Sequence, residues 1–352
     1  MTEDMRNRTA RVLAIASVLA GSVSCTVGPD YVRPVADVPS AYKEAGTVPQ
    51  PRSAIPAGRW WEVFNDGELN ALVAAIDVNN QTVRAAEARM RQALALTEAA
   101  RSRYYPLLTA GGANQNVGLV AAWELDLWGR IRRTVEASTA SAESAADELA
   151  AAKLSLQAQL AQNYFLLRVQ DAEIRLLQDS VARYERSLQL TRNQYAVGVA
   201  SRGDVVQAEA QLMSTRSQAL DATVTRAQLE HAIAVLIGKA PADFSIAPLP
   251  LDLTIPAAPS ALPSELLERR PDIAAAERRM AAANAQIGVA EALYYPSVSL
   301  GVGGGFGNRD FEGGAVTGWT LFDGGLRKAQ SAQATAGYDE TVANYRQTIL
   351  AA

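Results

Sequence analysis

The chain has 352 residues, a net charge of −4, 6% aromatic residues, one cysteine and one histidine. An internal disulfide and a Cys/His metal cluster are excluded, and no basic stripe offers itself to nucleic acid. Few aromatics and abundant alanine fit helices packed through small side chains.

The chain opens on an export signal. Arg6, Arg8 and Arg11 precede an apolar run from Val12 to Ala20, and the small residues Gly21-Ser22-Val23-Ser24 lead to Cys25. That run is too short to span a bilayer, and the layout is that of a cleaved signal peptide over 1–24. Cys25 sits where a lipobox cysteine is acylated after cleavage, although an incidental small residue at the site fits too. Thr26, in place of Asp, favours sorting to the outer membrane.

Residues 81–104 read as a helix, with Val83, Ala86, Met90 and Leu94 on one side and Pro106 closing it. Twofold alternation follows. Val117, Leu119, Ala121, Trp123, Leu125 and Leu127 share one face, and Gly118, Ala122, Glu124 and Asp126 the other, with Val120 the exception. Lipid outside and water inside would produce this pattern, with Glu124 and Asp126 facing a lumen. A half-buried strand of a soluble sheet would produce it as well.

From Ile131 to Tyr195 there is no Pro and no Gly: 65 residues, or about 97 Å of helix. Leu160, Leu167, Ile174, Val181, Leu188 and Tyr195 recur every seven residues, and Leu156, Asn163, Gln170, Leu177 and Tyr184 form a second series. Two heptad series on one helix predict a coiled coil with neighbours on both sides. Gly198 ends it, Ser201 and Asp204 offer a capping box, and a second helix is expected from Gly203 to Ile237. Pro271 is placed to start a further helix.

The chain also repeats itself. Ala85-Ala86-Glu87-Ala88-Arg89-Met90 recurs as Ala275-Ala276-Glu277-Arg278-Arg279-Met280, and Tyr104-Tyr105-Pro106 as Tyr294-Tyr295-Pro296, both at an offset of 190. In the second half Val298, Leu300, Val302 and Phe306 share a strand face. Each half is thus a helix–strand–strand–helix unit. Four strands cannot close a membrane barrel, for which about 8 is the minimum, and open edges are not tolerated in lipid. A symmetric assembly is required, and three copies would supply 12 strands.

Several stretches resemble the TolC-like outer-membrane efflux family, in its lipoprotein branch found with resistance-nodulation-division pumps. They are Cys25-Thr26-Val27-Gly28-Pro29-Asp30-Tyr31, Trp60-Trp61-Glu62-Val63-Phe64, Trp123 to Arg130, Tyr195 to Ser201, Leu262 to Ile273, and Leu321-Phe322-Asp323-Gly324-Gly325. The resemblance implies a mainly α fold in which long antiparallel coiled-coil helices form an α-barrel. Two β-hairpins per chain would contribute to a trimeric 12-stranded β-barrel. It further implies a passive export duct for small molecules, a periplasmic adaptor, an inner-membrane pump and palmitate on Cys25, with no other cofactor. Gly198, Val199, Ala200 and Ser201 would form the adaptor-docking tip, although a plain helix–helix turn needs the same residues.

On this reading 1–24 is the signal peptide and 25–60 the lipid-anchored segment, followed by equatorial and first barrel helices at 61–106. The first hairpin is 107–128, the long helical hairpin 129–238, and a linker and equatorial segment 239–270. The second-repeat helix is 271–295, the second hairpin 296–323, and an incomplete second long helix 324–352. Only 20 residues separate Pro106 from Leu127, and the second long helix has about 27 residues where the first has 65, so a truncated or degenerate member is expected and no gate residue is assigned. A protein-secretion duct and a lipid-anchored structural coiled coil are the alternatives. The Gly-rich run 301–307 lacks the Lys-Ser/Thr of a phosphate loop, His231 has no ligand partner, and no nucleophile–base set points to an enzyme.

Overall fold

The computed structural model describes residues 26–35, 58–113, 116–250, 269–305 and 311–352. Cys25, the signal peptide and most of the linker before Arg269 lie outside the described residues. Helices α1 (Gly67–Asn79), α2 (Gln81–Arg101), α3 (Arg130–Ala196), α4 (Arg202–Leu236), α5 (Pro271–Ala292) and α6 (Leu326–Leu350) accompany strands β1 (Leu107–Ala113), β2 (Asn116–Leu125), β3 (Ser297–Gly305) and β4 (Phe311–Gly318). None of the described helices is long and apolar enough to cross a membrane.

The described residues form two compact units, one within Met1–Ala45, Ala86–Leu149 and Leu262–Ala352, the other within Gly46–Ala85 and Ala150–Ala261. The backbones of α2 and α3 pass from one into the other.

The first unit holds the sheet, in the order β1-β2-β3-β4, antiparallel throughout. Its central pairing joins the two repeats. Leu125 lies opposite Val298, Trp123 opposite Leu300 and Ala121 opposite Val302, so the apolar rows of both repeats form one face. Glu124 and Ser299 lie on the other. In the same unit, small residues let helices approach closely: Ala137, Ala140, Ala142, Ala275, Ala285 and Ala290 are buried. Thr97 Oγ1 donates to the Ser138 carbonyl, and Ser144 Oγ to that of Ala275. Ile273, Ala276, Met280 and Tyr345 form the core between α5 and α6.

The helix expected over 81–104 closes sooner. α2 ends at Arg101 and a 3-10 turn carries the chain to Tyr104, because Tyr105 precedes proline and must be extended. Its buried side is Val83, Ala86, Thr97 and Ala100, whereas Leu94 is exposed.

In the second unit the heptad series divides. Leu160, Leu167 and Leu188 are buried, while Tyr184 and Tyr195 are exposed. Leu69, Leu72, Val73 and Ile76 of α1 are buried with Ile233 and Ile237. Asp66 caps α1 by accepting from the Glu68 and Leu69 amides, and Tyr164 donates its hydroxyl to the same carboxylate at 2.6 Å. Burial and that hydrogen bond push the Tyr164 hydroxyl up to about 12, so it stays a donor at neutral pH.

An ionic cluster fixes the segment after α4. The Asp171 carboxylate lies between Arg168 at 3.2 Å and Arg226 at 2.6 Å, all three largely buried. Arg168 also pairs with Glu68 and donates to the Ala247 carbonyl. Glu230 pairs with Arg226 and accepts from the Ile246 amide. Each charge has a partner, as burial demands.

Candidate functional site

Two regions carry the chemistry expected of the sequence. The first is the rim of the sheet where β1 and β3 begin and β2 and β4 end. Tyr104, Tyr105, Trp123, Tyr294, Tyr295 and Trp319 gather there. The Trp123 indole donates to the Tyr104 carbonyl at 3.0 Å, and Trp319 to that of Tyr294 at 3.3 Å, the same contact made once in each repeat. Trp128 stacks on Tyr295 with ring centroids 4.8 Å apart and donates to the Pro296 carbonyl at 2.7 Å. Tryptophan and tyrosine, each with an apolar body and a polar tip, suit the boundary between lipid and water.

The two carboxylates read as sharing a strand face separate here. Glu124 is on β2 and makes a bidentate pair with Arg130. Asp126 lies beyond the strand, which stops at Leu125. Its carboxylate accepts from the Ile131 and Arg132 amides, at 2.8 and 2.9 Å, and from the Arg132 guanidinium. Four free amides at a helix start attract an anion, and that draws Asp126 out of the alternation. Asp323 does the same for α6, accepting from the Gly325 and Arg327 amides.

The chain beyond Cys25 docks on the same unit. Val27 donates its amide to the Trp128 carbonyl, and Thr26 packs on Gly129. The Arg133 guanidinium, almost fully buried, donates to the carbonyls of Val27 and Gly28 and to the Asp30 carboxylate. Asn284 donates to the Pro29 carbonyl, and Tyr31 reaches Glu277. Burial and the Glu277 charge push the Tyr31 hydroxyl well above its usual range. Sequence reading did not single out Arg133, Asn284 or Gly288, the residues that receive this segment. Gly288, an interior glycine of a helix, was the available signal.

The second region is the turn between α3 and α4. Gly198 is left-handed at φ +76°, and the amides of Val199 and Ala200 both bond back to the Gln194 carbonyl. Ser201 accepts from the Asp204 amide while Asp204 accepts from the Ser201 amide at 2.7 Å, a reciprocal capping box. Those hydrogen bonds from Ser201 hold the Asp204 carboxyl below its usual range. Val197 and Val199 are three-quarters exposed at the tip. Below it, Arg192 pairs with Glu209 and Arg216 with Glu185, tying the two helices together. Among the described residues no group of His, Cys, Asp and Glu is placed to hold a metal.

A four-stranded amphipathic sheet with an aromatic rim, carried by a chain that also forms a long helical hairpin, defines a subunit of a transmembrane duct. The chain belongs to the outer membrane efflux protein family, whose model matches residues 72–239 and 262–352. It is 31% identical to the probable efflux pump outer membrane protein TtgC of Pseudomonas putida, over 96% of this chain and 77% of that protein. It is 28% identical to the cation efflux system protein CusC of Escherichia coli, over 95% and 78%. Among solved structures it resembles the outer-membrane channel OprN with a TM-score of 0.84 and 34% identity, covering 93% of this chain and 80% of that one. The protein is therefore an outer-membrane efflux channel component and not an enzyme.

Proposed function

We propose that three copies of this chain form the outer-membrane duct of a tripartite efflux system, completed by a periplasmic adaptor and an inner-membrane resistance-nodulation-division pump. The supporting observation is the sheet itself: β1 and β4 are its outer strands, and among the described residues neither has a second neighbour. Leu107, Leu108, Val316 and Trp319 stand exposed there. Open edges in lipid are untenable, and four strands per chain become a closed ring of 12 in a trimer. Glu124 would face the water-filled interior, with Asp126 at its border.

Cleavage after residue 24 and acylation of Cys25, with palmitate among the chains, would anchor the mature protein beside this rim. The docking of Val27 and Thr26 at Trp128 and Gly129 supports that placement. The tip at Gly198, Val199, Ala200 and Ser201 would dock the adaptor, its two exposed valines offering an apolar contact on a rigid turn. Relatives' names include toluene, antibiotic and cation efflux. This variety fits a passive duct whose cargo is chosen by the pump.

The mass of the detergent-solubilised protein tests the ring. Three chains are expected, with migration on a gel that changes on heating as closed barrels do. A single chain that needs no detergent would contradict the proposal.

A further inference from the structure

From the internal repeat we infer the register in which β4 of one copy pairs with β1 of the next: Trp319 opposite Ala110, Thr320 opposite Thr109 and Leu321 opposite Leu108. This rests on the ring proposed above and goes beyond it by fixing which residues meet.

The repeat supplies two equivalences. Tyr104-Tyr105-Pro106 and Tyr294-Tyr295-Pro296 make β1 the counterpart of β3, with Leu108, Thr109 and Ala110 matching Val298, Ser299 and Leu300. Trp123 and Trp319 donate to the carbonyls of Tyr104 and Tyr294, which makes β2 the counterpart of β4. The hairpin registers agree, since Leu107 lies opposite Ala122 and Ser297 opposite Gly318.

The junction between repeats shows how such strands join. The β1–β2 ladder stops at Ala122, yet β2 runs on to Leu125 because Trp123, Glu124 and Leu125 pair with Leu300, Ser299 and Val298. In the second repeat the ladder stops at Gly318, and among the described residues the counterpart overhang Trp319, Thr320 and Leu321 has no strand beside it. Trp319 and Leu321 are exposed there, as is Leu108 on β1. Copying the internal junction to the edge gives the stated pairs.

Neighbouring registers are worse. A shift by one residue moves Trp319 and Leu321 off the face shared by Leu108 and Ala110. A shift by two in one direction sets Leu321 opposite Pro106, which has no amide to donate. A shift by two in the other sets Asp323 opposite Leu108 on the apolar face, taking it from Gly325 and Arg327.

Cysteine pairs in outer membranes read the register directly, because a disulfide requires Cα atoms within about 7 Å. Thr109→Cys with Thr320→Cys, and separately Leu108→Cys with Leu321→Cys, is expected to shift the non-reduced protein from one-chain to three-chain mobility. Leu107→Cys or Gly111→Cys, each with Thr320→Cys, serves as the displaced control. Stronger cross-linking in a displaced pair overturns the register and leaves the ring standing. No cross-link in any pair, at undiminished membrane levels, overturns the register. A one-chain mass in detergent would remove the ring as well.

Discussion

Gly28 and Gly288 cross so closely that a methyl group on Gly28 would stand 2.4 Å from the Gly288 Cα. Gly28 is also left-handed, at φ +95°. The chain beyond Cys25 can therefore lie on α5 only because neither residue has a side chain.

Gly288→Ala sets two effects against each other. Alanine gains about 1 kcal/mol of helix propensity. Its Cβ would lie 2.9 Å from both the Arg133 Cγ and the Val27 carbonyl oxygen, and such overpacking costs about 1–3 kcal/mol. The N-terminal segment, not the helix, is expected to give way. Chymotrypsin should then cut after Tyr31, in the same docked segment, faster in the folded variant than in the parent, and equal rates would refute the clamp.

Asp171→Ala leaves Arg168 and Arg226 facing each other without their shared carboxylate. Breaking a buried ionic group in this way costs about 3–5 kcal/mol. Denaturant unfolding should show that loss. A change below about 1 kcal/mol would mean that water already screens the cluster.

Trp128→Phe and Trp128→Leu separate the two contacts made by that side chain. Phenylalanine loses the bond to Pro296, worth about 0.5–1.5 kcal/mol. Leucine loses that bond and also the stacking on Tyr295, worth about 0.5–1.5 kcal/mol more. Thermal unfolding should rank parent above Phe above Leu. Equal midpoints for Phe and Leu would show that the stacking contributes nothing.

The turn at Ser201 should respond to acid only below the ordinary aspartate range. The folded Asp204 carboxyl titrates lower than in the unfolded chain, so its stabilisation is present above the unfolded value of about 3.9. It is lost as pH falls through the lower folded value. Amide-exchange protection at Ser201, taken relative to the unfolded chain at the same pH, should therefore hold at about pH 5 and fall well below about pH 4. A loss of protection between about pH 5 and 7 would exclude the capping box as its cause.

Much of this fold can be read from local pattern. The capping box at Ser201 and Asp204, the start of α5 at Pro271 and the long helix before Gly198 depend on neighbours within a few residues. The face of Trp123 and Leu125 could be read from alternation, because strand geometry allows no other assignment. Asp126 departed from that pattern because a helix start at Arg130 competed for its carboxylate. Leu94 shares one helix side with Val83 and Ala86 in the sequence pattern and is nonetheless exposed, since alanines and Thr97 make the close helix contact.

Sequence by itself determined the repeated unit, the strand faces as far as Leu125, the helix starts at Arg202 and Pro271 and the family, all of which follow from short-range chemistry and order along the chain. Only the tertiary structure decided that β2 of one repeat pairs with β3 of the other, that Arg133 holds the carbonyls of Val27 and Gly28, and that Asp171 joins two arginines. The physical reason is distance along the chain: Arg133 lies 105 residues from Gly28, and periodicity carries no information across such a separation. Those partners are selected by shape and charge once the helices have met.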